Sequence, residues 1–413
     1  MPTPERLTID GFAGIRELEL VVRPFTVLIG PQSVGKSLVA KLLFFFRSAP
    51  HSLYLAALRD TQEPAGEALL ERFAAALPFP THPEGRASIH YSNGKAEFEL
   101  THSGEPGASW EIEMPNELQR AYSKLRAGLE EESDDDATIY EANELAKEAY
   151  RERLDKLWPG AGIRPRFVPA GRSFYAQIER DPAAFYETAS LDPYVAEFAK
   201  FLATLKSGRR KRTGLPPSAR AAAGLSQQLL SGRYLREGNE DFIDSMDGRR
   251  LPSKLWSSGQ QEAQPLALLL QRYCEELISP ASLFIEEPEA HLFPDAQRWM
   301  TELIALAFNA GRPGMRMFLT THSPYILTTV NNLLLAGQLY RRKLPGKHRT
   351  SLEETVPADR ALSPEDVGAF YMDRGGCRSI LDAEAELIGS SEIDAVSGRL
   401  DEQFQALLGL ERA

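Results

Sequence analysis

The chain has 413 residues, of which 43% are hydrophobic and 25% charged, enough for a large core and two or three lobes. Two cysteines exclude a disulfide framework, and neither a signal-peptide pattern nor an apolar run of about 18 residues is present, so we expect a cytoplasmic protein without membrane contact. The formal net charge of −11 disfavours a protein that coats nucleic acid, because such proteins are usually basic.

The first elements lead into a glycine-bounded loop. Residues 6–29 alternate apolar and polar side chains, which predicts two or three antiparallel strands ending in "FTVLI". The next letters, "GPQSVGKS", have the spacing of a P-loop and precede an apolar helix. Successive backbone N–H groups and the helix N-terminus would hold phosphates there. The predicted nucleotide-binding residues are Gly30, Pro31, Gln32, Ser33, Val34, Gly35, Lys36 and Ser37.

In this loop Lys36 would reach the β- and γ-phosphates, and the Ser37 hydroxyl would ligate Mg²⁺. A glycine-rich strand-to-helix turn without a ligand is the alternative explanation. The motif by itself predicts binding of a nucleoside triphosphate, and it does not say what the energy is used for.

The middle of the chain carries fewer signals. Residues 38–47 and 51–78 are predicted to be helical, and 86–114 alternate with turns as in a β-meander. An acidic run at Glu130–Asp136 is interpreted as a solvated loop between two helices. The segment "RFVPAGRSF" predicts a short strand at 166–170, followed by a loop that contains Arg172.

Helices are then expected to about residue 230, interrupted by the one dense basic cluster. Its residues are Arg209, Arg210, Lys211 and Arg212. Two interpretations stay open: a solvated loop, or a contact with nucleic acid or a protein partner. Residues 231–254 look like hairpin strands.

Two later strands end in chemically active side chains. "ASLFIEEPEAHLFPDAQ" places Glu286 and Glu287 directly after an apolar strand, where the first fits a Mg²⁺ ligand and the second a base for the attacking water. "MRMFLTTHSPYIL" places His322 just past another strand end, within reach of a γ-phosphate or the water. The alternative for Glu286 and Glu287 is that they only begin a helix. The alternative for His322 is a purely structural role.

A second phosphate cradle lies between these motifs and the P-loop. In "KLWSSGQQEAQPLALLL", Ser-Ser-Gly precedes a long helix. One phosphate tail does not need two cradles from the same subunit, so the second one makes sense if it serves the nucleotide of a neighbouring subunit.

The order of these motifs resembles the ABC-type ATPase heads, in the branch of the structural-maintenance-of-chromosomes (SMC) and recombination-repair ATPases. It is most similar to prokaryotic AAA-domain ATPases of the overcoming-lysogenization-defect (OLD) type, many of which belong to phage-defence operons. The resemblance covers roughly 1–50 and 230–330, with "FVPAGRS" and the tail "GAFYMDRGGCRSILDAEAELIGSSEIDAV" as weaker matches. It implies ATP and Mg²⁺ as cofactors and a dimer or higher oligomer.

The resemblance also assigns roles. Ser258 and Gly259 would contact the γ-phosphate on the partner's P-loop, Glu287 matches the catalytic glutamate, and His322 matches the switch histidine. Glu286 replaces the usual aspartate at the metal. The complete signature that would bind ATP in trans is Ser257, Ser258, Gly259, Gln260 and Gln261. Gln32 stands where many relatives have asparagine, and Gln177 is a weak candidate for the Mg²⁺-sensing glutamine.

The expected fold class is α/β: a P-loop ABC-type ATPase head with an N-terminal antiparallel β lobe, a mixed or parallel core sheet flanked by helices, and a helical insertion. The predicted divisions are 1–114, an N-terminal lobe with the P-loop, and 115–230, a helical lid with the strand at 166–170. They continue with 231–340, a C-terminal lobe with the signature, both glutamates and His322, and 341–413, a tail packed on that lobe.

The hypotheses for function differ in what the ATPase drives. The favoured one is a dimerising ATPase that acts as sensor or motor for a separately encoded effector such as a nuclease, in anti-phage defence. The alternative is a recombination or repair ATPase acting on DNA ends or gaps. A transporter ATPase and a fused nuclease are disfavoured, because the chain has extra meander and helices and only about 85 residues follow the ATPase motifs, too few for an added nuclease domain.

Overall fold

The protein is described by a computed structural model. It describes residues 4–59, 63–77, 85–105, 107–129, 148–150, 152–154, 156, 165–175, 192–207, 214–279, 281–374 and 376–389. The predicted acidic loop, the basic cluster Arg209–Arg212 and Gln177 lie outside these residues.

The core is a six-stranded sheet of order β14-β13-β3-β12-β11-β7. Its strands are β3 (Phe25–Ile29), β7 (Arg166–Val168), β11 (Ser282–Glu286), β12 (Arg316–Thr321), β13 (Val367–Asp373) and β14 (Gly376–Ser379). All neighbouring pairs are parallel except the hairpin β13–β14. Every residue of β3 is buried, as expected of a strand covered on both faces.

The register of this sheet gathers the strand ends that carry the motifs. Thr321 of β12 and Tyr371 of β13 both pair with Ile29 of β3, and Glu286 of β11 pairs with Thr320. Because these strands are parallel, their carboxyl ends meet at one edge, where ligands bind in open α/β sheets.

Helices cover the core sheet. They include α1 (Lys36–Leu58), α6 (Ser258–Cys274), α7 (Pro294–Ala310) and α8 (Pro324–Arg341). The run from Leu38 to Phe46 in α1 is buried on nearly every side, so α1 is an interior helix and not an amphipathic one. The helix continues past Pro50, and is therefore longer than the predicted segment 38–47.

A separate five-stranded antiparallel sheet has the order β2-β1-β4-β5-β6. Its strands are β1 (Glu5–Phe12), β2 (Ile15–Val22), β4 (Ala87–Ser92), β5 (Glu97–His102) and β6 (Glu111–Glu113). The predicted antiparallel strands before the P-loop and the meander at 86–114 are both confirmed, and the meander joins β1 through β4. The expected fold class is confirmed as well.

The remaining elements flank these two sheets. A three-stranded sheet, β8 (Gly232–Glu237), β9 (Glu240–Ser245) and β10 (Arg250–Pro252), confirms the predicted hairpins. Further helices among the described residues include α2 (Ala65–Ala76), α3 (Asn116–Leu129), α4 (Pro193–Ser207), α5 (Pro217–Leu229) and α9 (Gly346–Thr355). The four divisions of the chain stay a prediction. Among the described residues, none of the helices combines the length and the apolar character that a membrane span requires.

Candidate functional site

The loop after β3 is tightly packed against the end of β13. A Cβ atom on Gly30 would lie 1.9 Å from the Met372 carbonyl oxygen, so no other residue fits there. Gly35 has φ +103° and is wedged between the side chains of Ile15 and Met372, which a Cβ would approach to 3.0–3.2 Å. Pro31, Gln32 and Ser33 between these glycines are exposed. The loop is therefore a fixed backbone cradle open to solvent on one side.

Lys36 lies across the mouth of this cradle. Its Nζ donates to the carbonyl oxygens of Gly30 (2.8 Å) and Pro31 (2.6 Å) and lies 3.3 Å from Nδ1 of His322. Burial lowers the pKa of Lys36 to about 8, and the negative charges of Glu287 and Glu289 oppose that shift. A desolvated ammonium facing an open cradle is suited to an anionic ligand with several oxygens.

The Ser37 hydroxyl and the Glu286 carboxylate lie next to each other beside the cradle. Glu286 is buried at the end of β11, and its Oε2 accepts a long hydrogen bond of 3.4 Å from the Ala170 amide. Burial raises the pKa of this carboxyl, while the Ser37 hydroxyl, Lys41 and the Ala170 amide lower it. Its Oε1 is buried without a hydrogen-bond partner. An unpaired carboxylate oxygen next to a hydroxyl fits a hard cation such as Mg²⁺.

No group of three or more His, Cys, Asp or Glu side chains in the described ranges is placed to hold a metal. A cation on Ser37 and Glu286 would therefore take further ligands from water and from the phosphates of a nucleotide, which is how Mg²⁺ commonly binds.

Glu287 and His322 face each other across the same edge. Their side chains are partly exposed, and Oε1 of Glu287 lies 3.2 Å from Nε2 of His322. The backbone of Glu287 is left-handed, with φ 43°, a conformation that costs free energy in a residue with a Cβ. Its amide donates to the Thr320 carbonyl at 2.9 Å, which fixes the turn that points the carboxylate outward.

Glu289 is a functional candidate that the sequence analysis did not identify. Its Oε1 accepts hydrogen bonds from the Thr321 hydroxyl (2.8 Å) and from the His322 amide (2.7 Å). The carboxylate therefore holds the backbone of His322 in place. Its position after Glu287 and a proline is a weak signal, because acids near helix starts are common for other reasons.

Arg172, whose role the sequence left open, is fully buried behind the two glutamates. It donates to the carbonyl oxygens of Glu286 (2.7 Å) and Glu287 (2.9 Å), and to that of Glu262 in α6 (3.1 Å). The side chain thus fixes the backbone that carries the candidate metal ligand and the candidate base.

The signature segment forms the start of α6. The Ser257 hydroxyl accepts from the Gln260 amide, and the Gln260 side chain accepts from the Ser257 amide, a capping box. Gln260 and Gln261 also donate side-chain hydrogen bonds to the carbonyl oxygens of Leu230 and Trp256. A Cβ on Gly259 would lie 2.9 Å from the carbonyl oxygen of His291.

The structure brings Lys36, Ser37, Glu286, Glu287 and His322 together at one edge of the core sheet. Ser257 and Ser258 are exposed, and within the described residues no hydrogen bond joins the signature to the P-loop of the same chain.

Three solved structures of SMC head domains are similar to this chain at 12% identity. One, an SMC head bound to the C-terminal winged-helix domain of ScpA, has a TM-score of 0.43 and covers 94% of this chain and 100% of its own. The head from Thermotoga maritima gives 0.39, with coverages of 92% and 98%. A head with an extended coiled coil bound to a ScpA domain from Pyrococcus furiosus gives 0.40, with 92% and 96%.

A family model gives the stronger result, whereas no curated protein matches the chain. The model is described as "AAA domain, putative AbiEii toxin, Type IV TA system", and it matches residues 25–328, more than half of the chain. The matched range runs from the P-loop strand to α8 and includes every candidate site residue named above. The predicted resemblance to an ABC-type ATPase of the AAA-domain kind is confirmed. The chain belongs to this family of AAA-domain ATPases.

Proposed function

We propose that the chain binds and hydrolyses ATP as a dimer with nucleotide between its subunits, and that it acts as sensor or motor for a separately encoded effector. The observation that carries the proposal is the convergence of Lys36, Glu287 and His322 beside the P-loop. A phosphate-facing cation, a carboxylate base and a histidine are the groups that a phosphoryl-transfer site needs within one small space.

Each side chain has a role that follows from its position. The P-loop amides and Lys36 hold the β- and γ-phosphates, and Lys36 would exchange its two carbonyl acceptors for phosphate oxygens. Ser37 and Glu286 would hold Mg²⁺, which neutralises phosphate charge when bound. Glu287 orients a water and accepts its proton, and His322, 3.2 Å from Glu287, fixes that carboxylate and the γ-phosphate.

The dimer is supported by the exposed signature and by apolar side chains at the same edge. Ser258 lies open at the N-terminus of α6, where a helix attracts phosphate. Phe293, which precedes α7, is 77% exposed, and Tyr325 in the first turn of α8 is 51% exposed. Both are aromatic side chains on segments that follow strands of the core sheet, and aromatic residues are enriched in protein interfaces. In a dimer, the second subunit would cover these two side chains. The signature of the first subunit would then contact the nucleotide bound to the P-loop of the second.

The family description places such domains in a "Type IV TA system", which fits a chain that works with a separately encoded protein. A net charge of −11 also favours a protein partner over an autonomous grip on DNA. We place this partnership in anti-phage defence, with a nuclease as one candidate effector. A recombination or repair ATPase that acts on DNA ends or gaps is the alternative, and it requires DNA binding by the purified chain.

The experiment is sedimentation of Glu287→Gln with and without ATP and Mg²⁺. The variant keeps Lys36 and the P-loop but loses the base, so it should trap ATP and sediment as a dimer only with nucleotide. The double variant Lys36→Ala/Glu287→Gln is the matched control and should stay monomeric. A Glu287→Gln protein that is monomeric under both conditions rules out the nucleotide-dependent dimer.

A further inference from the structure

Arg172 joins two parts of the molecule that would serve different nucleotides. On one side its Nη1 donates to the carbonyl oxygens of Glu286 (2.7 Å) and Pro169 (3.1 Å), and its Nη2 donates to that of Glu287 (2.9 Å). This side belongs to the chain's own site, since Glu287 faces His322 and Lys36 lies beside them. The guanidinium group thereby holds three backbone carbonyl groups, two from the end of β11 and one from the loop after β7.

On its other side Arg172 is bound to the signature helix. Its Nε donates to the Glu262 carbonyl oxygen at 3.1 Å. The Glu262 carboxylate returns the contact, because it accepts from the amides of Arg172 (2.7 Å) and Ser173 (2.9 Å). Glu262 lies about one turn of α6 after Ser258, so a shift of the signature by a fraction of a turn would break these bonds.

Both charges are buried, which makes the connection stiff. The side chains of Arg172 and Glu262 are 0% and 1% exposed, and Nε of Arg172 lies 3.7 Å from the Glu262 carboxylate. Breaking one partner of a buried, fully hydrogen-bonded pair leaves an uncompensated charge, which is costly. The planar fork of arginine serves several acceptors at once, and lysine cannot reproduce that geometry.

We infer that Arg172 and Glu262 form a positioning bridge that couples the signature helix α6, offered to the partner's nucleotide, to the backbone of Glu287, which acts on the chain's own nucleotide. The inference rests on the proposed dimer. Closure of the signature on one site would then set the geometry of Glu287 in the other site, so the two sites of a dimer respond together.

The test uses mixed dimers with a single competent nucleotide site. In the reference dimer, Lys36→Ala is paired with the wild type, so the wild-type P-loop works with the signature of the Lys36→Ala subunit. In the test dimer, Arg172→Lys is added to the Lys36→Ala subunit. The competent site then has wild-type Lys36, Glu287 and Arg172 of its own, and only the subunit that offers the signature is altered.

We expect the test dimer to hydrolyse ATP at least about tenfold more slowly than the reference dimer, because misplacement of a contacting group by about 1 Å can cost a hundredfold. Equal rates would show that Arg172 supports only its own subunit's glutamates, and would overturn the inference. If the reference dimer is inactive, release of a fluorescent ATP analogue from the competent site is compared instead. Faster release from the test dimer supports the bridge, and equal release overturns it.

Two further variants separate coupling from stability. Arg47→Lys alters another buried arginine, paired with Glu5 at 2.6–2.8 Å, and in the Lys36→Ala subunit it should leave the reference rate unchanged. Glu262→Gln replaces Arg172→Lys if that variant does not fold, and the same slowing is expected. A wild-type protein that neither dimerises with ATP nor hydrolyses it would refute the proposed function, whereas normal wild-type behaviour with equal mixed-dimer rates refutes only the bridge.

Discussion

The affinity for ATP should fall as pH rises from 7 to 9, because Lys36 loses its proton in the free protein. Burial lowers the pKa of Lys36 to about 8, against the opposing charges of Glu287 and Glu289. About nine-tenths of the free protein then carries the ammonium at pH 7, and about one-tenth at pH 9. Bound phosphates favour the charged form, so above pH 8 binding takes up a proton. The linkage predicts a loss of affinity of about tenfold over this range.

The assay is a titration with a fluorescent ATP analogue at fixed ionic strength and without Mg²⁺, so that Glu286 does not contribute. The terminal phosphate of ATP completes its last ionisation near neutral pH, which adds negative charge as pH rises and so cannot produce the expected fall in affinity. Glu287→Gln removes a charge that raises the pKa of Lys36, so its affinity should begin to fall at lower pH. Lys36→Arg stays charged throughout and should show a flat profile. A flat wild-type profile, or an equal slope in Lys36→Arg, would refute this account of Lys36.

Three other outcomes are expected. Glu289→Ala should lower kcat by about tenfold or more with ATP affinity within about twofold, because the His322 amide loses its acceptor; an unchanged kcat would contradict that role. The affinity for Mg²⁺, measured by calorimetry with ATP present, should fall as pH falls, because the pKa of Glu286 is raised and a protonated carboxyl binds cations poorly. The Glu286→Gln variant should lose this pH dependence of Mg²⁺ affinity. The purified chain should not cleave DNA or RNA in the presence of Mg²⁺ or Mn²⁺, and metal-dependent cleavage that survives Lys36→Ala would show a nuclease. Any weak DNA binding should be salt-sensitive and should be lost when Arg209–Arg212 are replaced by alanine.

The sequence predicted those parts of the site that depend on local spacing. The P-loop, the two glutamates and His322 each follow an apolar strand directly, and parallel strands bring their ends to one edge. The fold class was predicted from these motifs together with the family resemblance that they carry. Roles that depend on long-range contacts were not predictable: Glu289 reaches the end of β12 across 32 residues, and Arg172 reaches Glu262 across 90. Nothing in a single sequence marks such partners, because their significance lies in which buried carbonyl or amide they meet.

The tail was predicted to pack on the C-terminal lobe, but no sequence signal indicated that it supplies a strand of the core sheet. β13 is parallel to β3, and its pairing with Val27 and Ile29 requires contacts between residues more than three hundred positions apart. Periodicity identifies a strand but not its neighbour, so the order of strands in a sheet stays open from sequence alone. Because β13 is parallel to β3, its last residue, Asp373, lies at the carboxyl edge of the core sheet.

The position of β13 in the core sheet affects how the protein folds during its synthesis. Strand β3 is synthesised early, whereas β13, one of its two neighbours in the sheet, is complete only once residue 373 has been translated. Until then the nascent chain presents an apolar strand with an unsatisfied edge, the kind of surface that chaperones and aggregation compete for. Met372, whose carbonyl group closes the space beside Gly30, arrives at the same late moment. The nucleotide cradle is therefore completed after most of the chain has been translated, so an incomplete chain released by a premature stop would lack a finished phosphate site.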